Sequence, residues 1–533
     1  MSKEKSDSGG LQKSLKLIFV YTVATGSIFT FVSYWDSVFF GYCGSGTWLA
    51  FALMTIAILP TALIYSEIAP LFKTTGGELI YNTVGLNKHF GFLASWLIMA
   101  AWISVPPAVV MAIATWISRT FSLHMTFTTT MLVAVGILLF VFVMSLQDVE
   151  VLTKAQALCL FVNMTSTIIT GLLILFSGHW SIHNIINSLF QTTLSPTLGI
   201  PGWIIGMALL ITPYFGFETV PQMVEEGNFS IKDTKRAICG SVLTCGLIYV
   251  FFYFCVAGLD SFSHLYKGDA ANGFMTIINM KRVLGWTVWP VMYGFFSVFM
   301  GLGASIMGFW MSTVRMMYAM AEKNFLPEFF MKLNKHHQPI IPNCFLLAIS
   351  LIFILLMNAT TFMNDFFNLM SFGCACAYAL TMISVLRIHK EYPKWKSPNA
   401  LKNSGLISLL AMIIMIIIAF FCTLGQGIGS WISFGVYLGF VVLLWLNMNL
   451  VRWKHSKVKL KHRMESKNIR KKLTSYVGSG LIYNVLFNDK ALFLIERYAI
   501  AYDIKVTLIT YLFFVILFNN LLSCFVGIMD KIS

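Results

Sequence analysis

Long apolar blocks, of which 406–423 and 431–448 are clear examples, constrain this chain more than any other feature. A helix of about 20 apolar residues crosses the roughly 30 Å hydrocarbon core of a bilayer. Only 11% of the 533 residues are charged, whereas about 25% are charged in soluble domains. Because the chain has too little charge to cover a surface facing water, the sequence predicts an all-α polytopic membrane protein.

Twelve membrane helices are predicted, followed by one further apolar stretch. The helices are expected at 14–43, 47–70, 90–119, 127–146, 152–177, 201–225, 235–259, 285–320, 341–358, 364–388, 406–425 and 431–451. The thirteenth stretch, 506–529, is predicted either to span the membrane or to lie on its surface. A polar tail at 1–13, a twelve-helix domain at 14–452 and a basic, mixed segment at 453–505 complete the expected organisation, and no role is predicted for the C-terminal region.

The basic residues that give the chain its net charge of +15 are distributed as membrane topology predicts. In a soluble protein it would suggest a nucleic-acid partner, but here ten Lys and Arg lie in the run 452–472 and most others in alternate loops. Before the eleventh helix, one side of the predicted membrane carries 19 Lys and Arg and the other carries four. The positive-inside rule then places the N-terminus in the cytoplasm, with the run at 452–472 beside anionic headgroups. We expect a multi-pass protein of a cell membrane, a bacterial one, and no nucleic-acid partner.

Two predicted helices contain interruptions at matching positions. Small residues fill 24–27 in the first helix, and Pro and Gly occur within 213–218 in the sixth. These helices begin two five-helix halves, at approximately 14–177 and 201–388, with 406–451 as added helices. Since five is odd, the second half would be inverted. Glycine and proline often simply kink a helix, but a matched pair of breaks is typical of a transporter's binding site, because lipid cannot satisfy the freed backbone groups.

Glu218 follows the interruption in the sixth helix, near the middle of the membrane. An acid at this depth is a functional hypothesis by default, because burying its charge is costly. It would bind a substrate amine, or take up and release a proton. The structural alternative is a side chain that caps the broken segment or hydrogen-bonds a neighbouring helix.

The other acids near the predicted helix ends receive structural interpretations. Asp36 is expected either to face an outer vestibule or to lie at the membrane interface beside Tyr34 and Trp35. Three more acids lie near basic residues on the inner side and are expected to form ion pairs or gates: Glu67, Glu225 and Glu226.

Three stretches carry a family resemblance. They are YSEIAPLFKTTGGELIYNTVGLNKHFGFLASW (65–96), PYFGFETVPQMVEEGNFSIKDTKRAI (213–238) and GFWMSTVRMMYAMAEKNFLPEFFMKLNKHHQPIIPN (308–343). Together they make the chain resemble the amino acid–polyamine–organocation (APC) superfamily over nearly all of 14–452. The resemblance implies a LeuT-like inverted five-helix repeat with broken helices 1 and 6, two added helices, and alternating access.

The resemblance also implies roles for individual residues. Backbone amides of the unwound part of helix 1 would meet a substrate carboxylate, and carbonyls of the unwound part of helix 6 would face its amine. The residues matched in this way are Thr25, Gly26, Ser27, Tyr214, Phe215 and Gly216. Glu218 matches an acid that some relatives use in proton-dependent transport, and Phe309 with Trp310 lies where relatives place an aromatic gate.

The chain departs from the family pattern at two places. Helix 1 reads ATGSIF where relatives commonly have GxGxGIF. The helix 5 position at which some proton-coupled relatives carry a lysine is aligned with Asn163. A sodium ion therefore stays an alternative to the proton, with hydroxyls offered by Ser305, Ser312 and Thr313.

The favoured function is secondary transport of a small amino acid or related amine, by proton coupling or exchange. The alternative is a transporter-like sensor that signals through its C-terminal region. An enzyme ranks last, because no HExxH motif or nucleophile elbow lies within the spans. No catalytic residue, metal or cofactor beyond the coupling ion is predicted, and the exact substrate and oligomeric state stay open.

Overall fold

A computed structural model describes residues 15–29, 32, 34–72, 74–356, 362–425, 430–431 and 434–446, of which 356 and 362–369 are described by their backbone alone. The predictions for 1–13, 453–505 and 506–529 lie outside these residues. Within them, regular structure is helical apart from isolated bridges.

The described chain forms eighteen α-helices joined by short 3₁₀ and π segments. They are α1 (Leu17–Ile28), α2 (Asp36–Cys43), α3 (Thr47–Ile68), α4 (Gly77–Gly85), α5 (Lys88–Thr120), α6 (Phe127–Ser145), α7 (Val149–Leu175), α8 (Ile182–Asn187), α9 (Gly202–Leu209), α10 (Thr234–Ala257), α11 (Phe262–Leu265), α12 (Met275–Leu284), α13 (Val288–Gly294), α14 (Leu302–Glu322), α15 (Ile340–Leu356), α16 (Phe362–Glu391), α17 (Ser404–Leu424) and α18 (Phe434–Leu446).

In the described part of the chain, nine helical stretches are long and apolar enough to cross a membrane. They are Asp36–Leu71, Lys88–Thr120, Phe127–Ser145, Val149–Leu175, Gly202–Met223, Ile231–Ala257, Val288–Glu322, Met370–Glu391 and Ser404–Leu424. Three apolar helices, α1, α15 and α18, are shorter. The protein is therefore a multi-pass membrane protein.

The first and sixth predicted helices are both interrupted. The first is divided into α1 and α2, and in the sixth regular α-helix ends at Leu209 and 3₁₀ segments continue to Met223. The eighth stays helical but passes through a π segment at Phe295–Gly301 before α14. Hydropathy did not predict the short helices α4 and α12, because neither forms a membrane-length apolar block.

Two ends of the helix bundle are distinguished below. The N-terminal face is the end at which α1 begins and α3 and α14 end, and the far face is the end at which α2 ends and α12 lies. Between them, α1 packs against α7, α10 and α14. The broken end of α1 is therefore surrounded by other helices.

Asp36 on the far face is fully buried and fastens α12 to α2. Its Oδ1 accepts the backbone N–H of Met275 at 3.0 Å, and its Oδ2 accepts that of Thr276 at 2.7 Å. The predicted position in an open vestibule is wrong, because the side chain is buried, whereas the position at the membrane interface stays a prediction. The free N–H groups at the start of a helix attract an anion, so that burial of this acid becomes tolerable.

Candidate functional site

The first interruption begins later than the sequence predicts. Thr25, Gly26 and Ser27 lie in the last turn of α1, which stays helical to Ile28. The hydroxyl of Ser27 donates to the carbonyl of Val23 at 2.8 Å. The three residues are thus positioned by a regular helix, and the expected unwinding at 25–27 is wrong, because α1 ends only at Ile28.

Side chains of α10 receive the last carbonyls of α1. The Tyr249 hydroxyl donates to the Ile28 carbonyl at 2.5 Å, and the Cys245 thiol donates to that of Thr25 at 3.5 Å. On another side, the Asn163 amide of α7 donates to the Phe29 carbonyl at 3.4 Å. The carbonyl end of a helix carries partial negative charge. Here its carbonyls accept hydrogen bonds from side chains, which are able to rotate and break these bonds.

The second interruption turns on Gly216, whose φ of +137° is a conformation that side chains rarely allow. A Cβ at Gly216 would lie 2.7 Å from both the Ile28 nitrogen and the Ser27 Cβ. Pro213, which lacks a backbone donor, lies just before this turn. The two interruptions therefore meet, with the backbone of Gly216 against the end of α1.

Tyr214 and Phe215 are buried beside this contact. The hydroxyl of Tyr214 donates to the Phe51 carbonyl at 3.0 Å and lies 2.6 Å from the hydroxyl of Thr55. Both partners belong to α3, so the side chain of Tyr214 ties the interruption to that helix. Its backbone remains the group that the family resemblance predicts to face a substrate.

Glu218 is fully buried and accepts three hydrogen bonds. Trp102 Nε1 of α5 donates to Oε1 at 3.0 Å. The Gly216 N–H, at 2.8 Å, and the Tyr378 hydroxyl of α16, at 2.9 Å, donate to Oε2. Two of these donors are side chains, which the pattern of the sequence did not single out. The acid thus connects the interruption to two other membrane helices.

The predicted gate residues lie on α14 next to Gly308. A Cβ at Gly308 would lie 2.3 Å from the Ser27 Oγ, which shows how closely α14 approaches α1. Phe309 is fully buried, while Trp310 Nε1 donates to Asn343 Oδ1 of α15 at 2.6 Å. The side chain of Trp310 therefore hydrogen-bonds to α15 and not to the two interruptions. The gating role of Phe309 and Trp310 stays a prediction.

Gln156 of α7 is a site residue that sequence reasoning missed. It is fully buried, and within the described ranges neither its Oε1 nor its Nε2 has a hydrogen-bond partner. Its Nε2 lies 3.2 Å from the Cβ position of Gly26 and 3.0 Å from that of Gly308. The sequence alignment pointed to Asn163 for this helix, yet Gln156 is the polar residue between α1 and α14. The missed signal was the pair of glycines that make room for it.

An ion pair joins α14 to the end of the broken sixth helix at the N-terminal face. Arg315 Nη2 donates to Glu226 Oε1 at 2.9 Å and Nε donates to Oε2, and both side chains are 1% exposed. The Leu15 N–H donates to the Glu226 carbonyl at 3.0 Å. For Glu226, the predicted ion pair is confirmed, and it holds the start of α1, the end of the sixth helix and α14 together.

Comparison with known proteins identifies the family of this chain. The family model for amino acid permeases matches residues 15–457. Three relatives come from Bacillus subtilis (strain 168). The glutamate/serine transporter AimA is 23% identical over 69% of this chain and 70% of its own length. The methylthioribose transporter is 22% identical, with shares of 76% and 86%, and the branched-chain amino acid permease BcaP is 21% identical, with shares of 78% and 87%.

The match covers the interruptions, Glu218 and the Arg315–Glu226 pair. The relatives named are transporters and permeases, and they give no support to the sensor alternative or to an enzyme. The chain therefore belongs to the amino acid permease family and is a multi-pass membrane transporter.

Proposed function

We propose that this protein is a secondary active transporter that moves a small amino acid or related amine across the membrane by alternating access. The observation that carries the proposal is the contact between Gly216 and the end of α1, where two interrupted helices meet beside the buried Glu218. Because interrupted helices leave backbone groups that protein, water or a ligand must satisfy, this contact is the natural place for a polar substrate.

The proposed architecture is the inverted five-helix repeat, with halves at approximately 14–177 and 201–388 and a total of twelve membrane helices. It is supported by the position of the interruptions, each in the first membrane helix of its half. In this arrangement the partial charges of the half-helix ends face a zwitterion from opposite directions. The positive-inside rule makes the N-terminal face cytoplasmic, and the membrane is proposed to be a bacterial cell membrane.

The proposed coupling ion is a proton, carried by Glu218. This assignment is supported by the hydrogen bond from Gly216, because it ties the charge of the acid to the geometry of the interruption. Protonation would remove one acceptor site from the carboxylate and loosen the bond from Gly216 or Tyr378. Binding of a proton at Glu218 would thereby change the shape of the substrate site.

A lysine on α7 is not the source of coupling in this proposal. Lys154 is 59% exposed and pairs with Glu150 at 2.9 Å, while Gln156 and Asn163 are neutral amides. Sodium is the alternative coupling ion, and α14 offers hydroxyls for it. Each of these hydroxyls donates to a carbonyl of its own helix, as seen for Ser305, Ser312 and Thr313.

Counterflow in proteoliposomes tests the proposed transport. Vesicles are preloaded with one unlabelled compound and assayed with its labelled form, for a panel that includes glutamate, serine, a branched-chain amino acid and methylthioribose. We expect accumulation with a subset of the panel. No accumulation with any amino acid or amine, in protein shown to be folded, would contradict the proposal.

Proton and sodium gradients are then imposed separately on the same vesicles. An inward proton gradient is expected to drive net uptake without sodium. Uptake that follows sodium alone would replace the proton with the sodium alternative.

A further inference from the structure

A second buried acid, Glu78, lies near Glu218 at the N-terminal face. It belongs to the first turn of α4, outside the membrane-spanning segments, and is fully buried. Its Oε2 accepts a hydrogen bond from Gln222 Nε2 at 3.0 Å. Gln222 follows Glu218 by four residues in the 3₁₀ segment Phe217–Met223. At about 2 Å per residue, Glu218 and Gln222 are separated by about 8 Å along this segment.

The close approach of α4 to this segment depends on Gly77. A Cβ at Gly77 would lie 2.7 Å from Gln222 Nε2 and 3.0 Å from the Pro221 Cβ. The absence of a side chain at Gly77 thus brings Glu78 against the segment that carries Glu218. Glu78 therefore lies where α4 packs closely against the broken sixth helix.

Several buried polar atoms around Glu78 make no hydrogen bond to another described residue. Glu78 Oε1, Gln222 Oε1 and the Tyr65 hydroxyl are all buried, and none has a hydrogen-bond partner in the part of the chain that the structure describes. A buried polar group that makes no hydrogen bond is costly. A proton on Glu78 would turn one of its oxygens into a donor and remove its buried charge. The arrangement therefore fits an acid that binds a proton.

The titratable groups that act on Glu78 are Glu218 and Tyr65 of α3. Glu78 in turn acts on Tyr81 of α4 itself and Cys374 of α16. None of these four side chains carries a positive charge. Burial raises the pKa of Glu78 to about 8, and the nearby Glu218 carboxylate contributes to this rise.

Two further helices that carry basic residues, α14 and α5, pack against α4. On α14, the guanidinium of Arg315 is bonded to Glu226. On α5, the ring of His89 accepts a hydrogen bond from Trp445 at 3.0 Å, and Lys88 stands at the start of the helix. None of these basic groups is among the largest influences on the pKa of Glu78.

We infer that Glu78 is a proton-binding residue that exchanges a proton with Glu218 and releases it at the N-terminal face. The inference rests on the proposed function, since it gives the coupling proton of Glu218 a route. In the transfer step, the carboxyl of Glu218 loses a proton and the carboxylate of Glu78 gains it, so one acid becomes charged as the other becomes neutral.

In this inference, the hydroxyl of Tyr65 relays the proton. Tyr65 interacts electrostatically with both acids, and its ring lies edge-on to that of Tyr378 with centroids 5.8 Å apart. Tyr378 is the hydroxyl donor to Glu218. Beyond Glu78, the Thr75 N–H donates to Glu225, a half-buried acid, at 3.2 Å. The proposed proton route therefore reaches Glu225 at the N-terminal face through Thr75, which lies three residues before Glu78.

Infrared difference titration and transport test this inference independently. A protonated-carboxyl band that titrates near pH 8 is expected in the wild type and is expected to be missing in Glu78→Gln. In proteoliposomes, Glu78→Gln is expected to reduce proton-driven uptake at least about tenfold while counterflow continues, because counterflow needs no net proton movement. Glu322→Gln, which removes an exposed acid at the end of α14, is the matched control.

Tyr65→Phe serves as the second variant, because it keeps both acids and removes only the relay hydroxyl. It is expected to slow proton-driven uptake and leave the infrared band in place, and it keeps the test available if Glu78→Gln does not fold. Equal proton-driven uptake in wild type and Glu78→Gln, or the absence of a band that this substitution removes, would overturn the inference. So would the loss of counterflow together with proton-driven uptake in folded Glu78→Gln. A wild type without counterflow would instead contradict the proposed function, and the infrared band would still decide whether Glu78 binds a proton.

Discussion

The two ends of the bundle handle buried acids differently. On the far face, Asp36 is held by the backbone N–H groups of Ser37, Met275 and Thr276. Towards the N-terminal face, within the described residues, side chains supply two of the three donors to Glu218 and the donor to Glu78. Backbone donors are fixed once a helix forms, whereas side-chain donors are able to rotate. The difference fits the proposal that Glu218 and Glu78 exchange protons, whereas Asp36 has a structural role in fastening α12 to α2.

The Arg315–Glu226 pair gives the largest expected effect on stability. Arg315→Met leaves the Glu226 carboxylate buried and uncompensated, which costs about 3–5 kcal/mol. A lower thermal midpoint of the purified protein in detergent is the measurement. The double variant Glu226→Gln with Arg315→Met is expected to recover much of the loss, because no unpaired charge remains. Equal stability of the single and double variants would contradict a fixed, buried pair.

Gly216→Ala tests the close contact between the end of α1 and Gly216, the residue whose backbone N–H donates to Glu218. The new Cβ would lie 2.7 Å from the Ile28 nitrogen at a strained φ of +137°, and such strain alone costs about 1–3 kcal/mol. We expect counterflow to fall at least about tenfold. Gly303→Ala on α14 is the control, because a Cβ there meets nothing within 4 Å. Similar counterflow in both variants would mean that α1 and the broken sixth helix do not need this contact.

Asp36→Ala separates the structural acid from the titrating ones. It leaves the N–H groups of Met275 and Thr276 unsatisfied, and the loss of stability is expected to be about 1–3 kcal/mol. In the protein that still folds, the dependence of uptake on pH is expected to match the wild type. A changed pH profile would show that the far face also takes part in proton coupling.

A further expected effect is the pH dependence of stability that Glu78 causes. Its folded-state pKa of about 8 lies above the ordinary value of 4.5. An acid with a raised pKa contributes stability that is complete below the unfolded value and is lost as the pH rises through the folded value. The thermal midpoint of the wild type is therefore expected to fall from pH 4.5 to above pH 8. Glu78→Gln is expected to flatten this slope, and an unchanged slope would contradict a raised pKa.

The sequence predicted the parts of the molecule that depend on composition along the chain. Apolar length locates the spans, and small residues or proline locate the interruptions, because both properties are local. Glu218 was recognised because a lone acid in an apolar block is conspicuous. The exact end of α1 was not predicted, because Thr25, Gly26 and Ser27 are compatible with a helix when neighbouring helices pack around them.

The partners of these residues were not predictable from one sequence. Trp102 and Tyr378 lie 116 and 160 residues from Glu218, and one aromatic among many carries no local mark. Gln156 and Glu78 lie on helices that carry several other polar residues, some exposed, as Lys154 is, and some buried, as Asn163 and Asn82 are. Only the packing of α4 and α7 against the interruptions reveals that both are buried.

The central claim is that Glu218 couples proton movement to transport at the paired interruptions. The most direct measurement is the pH dependence of uptake by wild type and Glu218→Gln in proteoliposomes with matched protein content. The account predicts that Glu218→Gln retains counterflow and loses the acceleration of uptake by an inward proton gradient. Equal acceleration by the gradient in both proteins would contradict the claim.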